Sequence, residues 1–402
     1  MKQDWEEIQL GDLCEFRNGL WKGKKPPFVT SKVIRMTNFT KECEMNTIEP
    51  IELEVEEKQY SSRSLIDGDL LLEKSGGGPK QPVGRVVRFE APDNGNYSFS
   101  NFTTRIRISK LDKIDSKYLH KYLKFFYLIG RTEPLQSNST NIRNLQLPAF
   151  KKILIPVPPL EEQKQIVAKL DQCFEAIDKA KANAAKNLEN SKELFQSKLN
   201  DIFSQKGEDW VEKKLGDVCK LIDSLHKTPS YIKEGGFPMI RVTDIKDGFI
   251  NFKNARRVNK DVYGEFSKRH IASIGDLVLS RVGSYGIPAI VETDTLFCLG
   301  QNTVFLIPLI NTYWIYYFLI SPNSKQQMDK SASGVAQPTV SLKSIKQINI
   351  PIPSLEEQKQ IVKILDSLRK QTQSLESKYQ QELNSLEELK KSILQKAFEG
   401  EL

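Results

Sequence analysis

The sequence predicts an α+β protein with a pseudo-twofold internal repeat, in which two β-rich mixed domains are separated by two long helices that pair as an antiparallel coiled coil. Three observations carry this expectation. The segment IPVPPLEEQKQIV at 155–167 returns as IPIPSLEEQKQIV at 350–362, 195 residues later with eleven of thirteen letters identical, so the chain is internally duplicated. Each copy opens a long stretch free of glycine and proline, 160–206 and 355–399. The remaining segments are short, β-branched and bounded by turn residues, as strands are.

Taken in chain order, residues 1–154 form the first domain. It opens on WEEIQLGDLC from Trp5, continues through KVIRM, DLLLE, GRVVRF and TTRIRI, and ends with an aromatic helix near Tyr118. Residues 155–206 are a Pro-rich join and the central long helix. The second domain, 207–349, repeats the plan with WVEKKLGDVC from Trp210, MIRVTD, DLVLS, IPAIVE and NTVFLIP, and the 195-residue offset pairs Tyr118 and Tyr122 with Tyr313 and Tyr317. Residues 350–402 are the second join and long helix.

The second helix has a capping box, Ser354 with Glu357; the first has Pro159 there, and both place two glutamates at the positive end of the helix dipole. Steps of three and four mark one seam along Val167, Leu170, Phe174, Ile177, Ala184, Leu188, Phe195 and Ile202. The other runs along Ile361, Leu365, Leu368, Leu375, Tyr379, Leu386, Leu389 and Ile393. At about 1.5 Å per residue each helix is too long for one domain to cover, so the stripes are expected to bury each other. Counting equally from the ends of an antiparallel pair sets Cys173 level with residues 385–389.

A composition of 39% hydrophobic and 27% charged residues is that of a globular chain. The most apolar stretch, 306–320, is broken by Pro308 and Asn311 and is too short to span a bilayer. The first residues carry no export signal, and five scattered cysteines without a C-x-x-C pair fit reduced thiols in the cytoplasm. Three isolated histidines argue against a metal site or a histidine-based catalytic centre, so no metal or catalytic residue is assigned.

The net charge of +8 is uneven. Residues 160–206 hold eight acidic and eight basic side chains and residues 355–402 nine and eight, so the two domains together carry +9. An electropositive surface on the domains suits a polyanion. Candidate contacts are Arg17, Asn18, Trp21, Lys22, Lys24 and Lys25 in a Gly-Lys loop. Arg35, Thr37 and Asn38, with Arg241, Thr243 and Asp244 at the matching place, have side chains able to read base edges. Lys74, Ser75 and Lys80 of KSGGGPK, and Arg281, Ser284 and Tyr285 of RVGSYG, put a cation before a turn whose N–H groups can approach phosphate. Asn141, Arg143, His226, Lys227 and Gln337 complete the set. Solvated loops and strand ends in structural roles compete with this assignment at each place. No nucleotide-binding P-loop spacing is present.

Together the two I-P-x-P-x-L-E-E-Q-K-Q-I-V segments, the paired helices and the closing SILQKAFEGEL from Ser392 resemble the specificity (S) subunit of Type I restriction-modification systems over essentially the whole chain. The resemblance implies that each domain is a target recognition domain reading one half of a split, asymmetric duplex DNA site. It implies that the helices are the spacer, and that two methyltransferase subunits and the motor-nuclease restriction subunits dock on it. Docking is then expected at Leu160, Glu161, Glu162, Gln163, Leu355, Glu356, Glu357, Gln358 and Phe398. No cofactor is expected on this chain; S-adenosylmethionine, ATP and Mg belong to the partners. No N-P-P-Y or D-P-P-Y motif is present, so a self-sufficient methyltransferase is disfavoured. A protein-binding coiled-coil adaptor remains open, as does a recognition subunit of a modification-only or combined restriction-methylation system.

Overall fold

A computed structural model describes residues 5–20, 25–78, 81–139, 142–205, 207, 209–246, 248–334 and 337–402. The chain divides into two units out of chain order: unit 1 is Met1–Ala184 with Gln381–Leu402, and unit 2 is Ala185–Gln380. Each long helix therefore lends one half to each unit.

In unit 1 the strand Leu70–Glu73 is buried at every position. Successive strand side chains point to opposite faces, and here both faces are covered. Leu70 and Leu72 enter a core with the helix Ser116–Leu128 and the first long helix, while Leu71 enters a smaller core with Ile34, Val87 and Phe99. That explains an unbroken apolar run where a half-exposed strand would alternate. The sheet is antiparallel in the order Cys14–Asn18, Thr103–Ile108, Leu70–Glu73, Val86–Arg88. A second sheet sets Phe28–Ile34 antiparallel to Ile51–Glu56 and parallel to Tyr97–Phe99. A third joins Gln136–Ser139, Ile142–Leu145 and Ser75–Gly77.

Unit 2 repeats the first two sheets strand for strand. Cys219–Asp223, Thr303–Pro308, Leu277–Ser280 and Pro288–Ile290 make the four-stranded sheet, and Arg256–Val258, Phe237–Ile240 and Cys298–Leu299 the three-stranded one. Leu277 and Leu279 again face one core and Val278 another. In place of the third sheet stands the helix Pro322–Ser331.

Each Pro-rich join is itself a strand. Leu154–Val157 pairs antiparallel with Glu6–Gln9, and Asn349–Ile352 with Val211–Lys214. Two-stranded ribbons leave an edge where a proline without N–H is tolerated. The aromatic helices dock on these ribbons. Asp115 caps Ser116–Leu128 and Asn311 caps Thr312–Leu319; Tyr118 Oη donates to Pro156 O at 2.9 Å, and Trp314 Nε1 to Pro351 O at 3.0 Å. The counterpart of Tyr118 is therefore Trp314, one residue beyond the 195-residue offset. Tyr313, paired with it by sequence, is 42% exposed.

The long helices run Leu160–Ser204 and Leu355–Glu399, 45 residues each. In unit 1, Asp178 binds Lys390 at 3.0 Å and Lys181 binds Glu387, so the helices are antiparallel. Three steps up one are three steps down the other, which sets Cys173 level with Gln395 rather than with residues 385–389. The helices are staggered, which equal counting from their ends could not foresee. In unit 2, Phe195, Leu199 and Phe203 share a core with Val362, Leu365 and the helix Thr312–Leu319.

The second seam also differs from the sequence expectation. Leu375 and Leu389 are exposed, while Thr372 and Leu394 are buried. Thr372 is tolerated there because its hydroxyl donates to Arg369 O. The capping box is half formed: Ser354 Oγ accepts from Glu357 N, but the Glu357 carboxylate accepts from Trp210 Nε1 at 3.0 Å.

Candidate nucleic-acid interface

The end of strand Cys14–Asn18 gathers the candidates of unit 1. Asn18 Oδ1 accepts from Lys74 Nζ at 2.8 Å and from Thr104 Oγ1 at 3.1 Å, and its carbonyl accepts from Arg63 Nε. Arg17 is exposed beside them. Burial and the neighbouring Arg17 hold the Arg63 guanidinium below its ordinary range, and burial lowers the Lys74 ammonium. Such crowding of positive charge favours an anion. The turn after Lys74 joins the group: Ser75 Oγ donates to Asn144 Oδ1 at 2.5 Å, Arg143 pairs with Gly77, and a Cβ on Gly76 would lie 2.6 Å from Met36 Cε. Met36 stands between Arg35 and Thr37, both exposed. Lys25 is exposed on another edge, its N–H donating to Glu56. Trp21, Lys22, Lys24, Lys80 and Asn141 lie outside the described residues.

Unit 2 places its counterparts in the same positions but with different charge. Arg281 occupies the place of Lys74 and Asp223 that of Asn18; Arg281 Nη1 meets Asp223 Oδ1 at 2.5 Å, and Asp223 also meets His226 at 3.2 Å. Arg241 donates to the Asp244 carboxylate through Nε at 3.0 Å and Nη2 at 3.1 Å. Where unit 2 pairs two cations with two carboxylates, unit 1 has the neutral Asn18 and Asn38. Arg241 and Thr243 line one cleft with Thr228, Tyr231, Gln301 and Asn302, and Thr243 lines a second with Ser284 and Lys246. Lys227 pairs with Glu265, Tyr285 Oη donates to Asp329, and Gln337 is exposed.

Two expected base readers are used up inside the fold. Asn38 is 1% exposed; its Oδ1 accepts from Arg35 N at 2.9 Å and its Nδ2 donates to Ile48 O at 2.7 Å. Asp244, 2% exposed, accepts from Arg241 N at 2.9 Å as well as from the guanidinium. Both close the turn on which Arg35, Thr37, Arg241 and Thr243 stand. A base edge could reach neither without unmaking that turn.

Several docking candidates are likewise internal. Glu162 accepts from Trp5 Nε1 at 3.3 Å, the counterpart of Glu357 with Trp210. Gln163 is fully buried, its Nε2 donating to Lys113 O and Pro158 O and its Oε1 accepting from Asp115 N. Gln358 donates to Pro353 O. Phe398 sits among Tyr118, Tyr122 and Phe125, with ring centroids 5.5, 5.1 and 5.6 Å away. The repeated join thus fastens each long helix to its own domain, and Glu161, Leu355 and Glu356 are left exposed, with Leu160 half-buried.

Burial pushes the thiols of Cys14, Cys43, Cys219 and Cys298 up to about 12, so these sulfurs are protonated at neutral pH and poor nucleophiles. Among the described residues no three His, Cys, Asp or Glu side chains converge as a metal site. None of the described helices is long and apolar enough to cross a membrane.

Residues 2–187 and 207–385 each match the sequence model of the "Type I restriction modification DNA specificity domain". The chain is 28% identical over 329 residues to the Type I restriction enzyme EcoBI specificity subunit of Escherichia coli, covering 74% of this chain and 68% of that protein. It is 24% identical over 433 residues to the MjaVIII specificity subunit of Methanocaldococcus jannaschii, covering 100% and 93%. A solved chain from work on "complex assembly" and "conformational transition of the type I R-M system" superimposes with a TM-score of 0.78 at 21% identity, covering 100% of this chain and 99% of that one. This last likeness speaks to the fold.

Proposed function

The chain belongs to the Type I restriction-modification DNA specificity family, and from that membership we propose that it reads a bipartite, asymmetric duplex DNA site, one half with each unit. DNA sequence specificity is the general role of this family, whose members are generally non-catalytic. The observation that carries the finer reading is the pair of corresponding but chemically different surfaces. The same strand order presents Asn18, Lys74, Arg35 and Thr37 in unit 1, and Asp223, Arg281, Arg241 and Thr243 in unit 2. Equivalent frames with different side chains make two readers of different sequence.

Phosphate contact falls to Arg17, Lys25, Arg35, Arg63 and Lys74 in unit 1, and in unit 2 to Arg241 and Arg281, each of which is held by a carboxylate. Their charge positions the duplex without specifying it. Two methyltransferase subunits dock on the outer faces of the long helices and on Leu160, Glu161, Leu355 and Glu356. The restriction subunits join that assembly, and S-adenosylmethionine, ATP and Mg are held by these partners.

The test expresses the chain with its methyltransferase partner, maps methylated sites in cells, and measures duplex binding across salt concentrations. A split, non-palindromic site and binding that weakens steeply with salt are expected. A continuous or palindromic site, or no salt-dependent duplex binding, refutes the reading and favours a protein-binding adaptor. Methyl transfer, DNA cleavage or ATP turnover by the chain alone refutes the assignment of chemistry to the partners.

A further inference from the structure

The turn that leads from the short parallel strand into the long antiparallel one is built alike in the two units. In unit 1 it is Ser100, Asn101 and Phe102, between Tyr97–Phe99 and Thr103–Ile108; in unit 2 it is Gly300, Gln301 and Asn302, between Cys298–Leu299 and Thr303–Pro308. Thr103 Oγ1 donates to Ser100 O at 2.8 Å and Thr303 Oγ1 to Gly300 O at 2.7 Å. The residue after the tip is held as well: Lys74 N donates to Phe102 O at 3.0 Å and Arg281 N to Asn302 O at 2.9 Å.

The backbone of both tips is therefore pinned by the same bonds to the same neighbours, and those neighbours are the cations assigned above to phosphate. The chain passes so closely beneath the first tip that a Cβ on Gly19 would lie 1.9 Å from Ser100 O. Asn302 is held at φ +68°, a left-handed conformation that asparagine tolerates better than most residues. Rigid backbone of this kind fixes where a side chain projects, which is what a reading residue needs.

The side chains left at these positions are both amides. Asn101 is half-buried and Gln301 exposed, and neither amide makes a side-chain hydrogen bond with the described residues. Gln301 lies in the cleft of about 250 Å³ that also holds Arg241, Thr243 and Tyr231, the last with the Arg256 guanidinium 4.7 Å above its ring. Asn38, the asparagine the sequence points to, has both ends of its amide occupied within the fold; Asn101 has neither. A carboxamide offers one donor and one acceptor side by side. That pair complements the N7 acceptor and N6 donor of adenine in the major groove and no other base there equally well.

We propose that Asn101 and Gln301 are specificity-determining residues, each presenting its amide to an adenine in one half of the DNA site. The proposal rests on the DNA-recognition reading above and adds the residue and the base. Phe102, 46% exposed beside Asn101, supplies an apolar edge for a neighbouring thymine methyl.

The test uses the chain assembled with its methyltransferase partner, and compares wild type, Asn101→Ala, Gln301→Ala and the amide-retaining Gln301→Asn. Methylated sites are mapped and binding is measured on duplexes carrying each base pair at every specified position. Gln301→Ala should weaken binding to the wild-type site by roughly 5- to 150-fold, the worth of one bidentate base contact, and relax a single A·T position in one half-site. Asn101→Ala should do the same in the other half-site only. Gln301→Asn should retain part of the preference, and the thermal midpoint of each variant should match wild type. If wild type shows no sequence-specific binding, the DNA-recognition reading fails and this proposal with it. If wild type is specific but the alanine variants keep every preference, lose affinity uniformly, or relax a G·C pair, the assignment of Asn101 and Gln301 is wrong while the broader reading stands.

Discussion

Replacing Phe398 with alanine should destabilise unit 1 by about 4 kcal/mol, within the range of about 3–5 kcal/mol for removing a buried phenylalanine ring. The ring is 4% exposed and meets three aromatic neighbours with centroids between 5.1 and 5.6 Å away, and such pairs add to simple burial. Collapse of the cavity is restrained because two of the walls are tethered: Tyr118 Oη to Pro156 O and Tyr122 Oη to Leu154 O. For a unit of this size, that loss lowers the thermal midpoint by roughly 8–16 °C. Scanning calorimetry of the full chain measures it, with Leu389→Ala as control, since Leu389 is 46% exposed and its truncation should stay within about 0.5 kcal/mol. An unchanged midpoint for Phe398→Ala with loss of methyltransferase assembly would refute the packing reasoning and return Phe398 to the docking surface.

Oxidative cross-linking checks the stagger of the helices: Gln395→Cys should form a disulfide with Cys173 in the full chain, and Ser385→Cys should not. Acid should unfold unit 1 through His120. Burial holds this imidazole well below its ordinary pKa, with Glu44 opposing the shift and Lys124 and Lys121 adding to it. Its Nε2 faces two acceptors, the carbonyls of Cys43 at 2.9 Å and Val86 at 3.2 Å, so Nε2 carries the proton and the ring is neutral. The unfolded chain takes up a second ring proton below about pH 6.5, where the folded one does not. Stability is therefore full above that pH and falls as pH drops, by up to about 1.4 kcal/mol per pH unit. Denaturant titrations across pH should show this slope in wild type and a flatter one in His120→Gln; equal slopes would refute it.

The duplication, the two long helices and the β-rich character of both domains are legible in the sequence because each rests on a pattern repeated many times. The errors fall where a single letter has two uses. Leu368, Leu375 and Leu389 occupy one heptad column of the second helix, and Leu365, Tyr379, Leu386 and Ile393 an adjacent one. Both columns are rich in apolar residues; in the second the structure buries Leu365 and Thr372 and half-buries Tyr379, Leu386 and Ile393, whereas Leu375 and Leu389 of the first are exposed. An asparagine after Arg-x-Thr has the chemistry of a base reader, yet the same amide closes a turn, and only the positions of Arg35 N and Ile48 O decide between them. The glutamines of the repeated join look like a contact motif because they recur, and they recur because each helix must be fastened to a domain. Asn101 and Gln301, the readers proposed above, carry no sequence signal, because what marks them is the pinned backbone around them, a property without a sequence pattern.

Unit 1 is closed by residues 381–402, which a ribosome makes long after the rest of that unit. Unit 2 is drawn from one continuous span, 185–380, and can fold as soon as that span emerges. At about 5–20 residues per second, the 196 residues between the two parts of unit 1 impose a wait of about 10–40 s. Throughout it, Tyr118, Tyr122 and Phe125 face solvent where Phe398 will sit. The first domain to be synthesised is thus the last to be completed: it keeps an open aromatic socket while the second domain is being made, and is closed only after the second has all its residues.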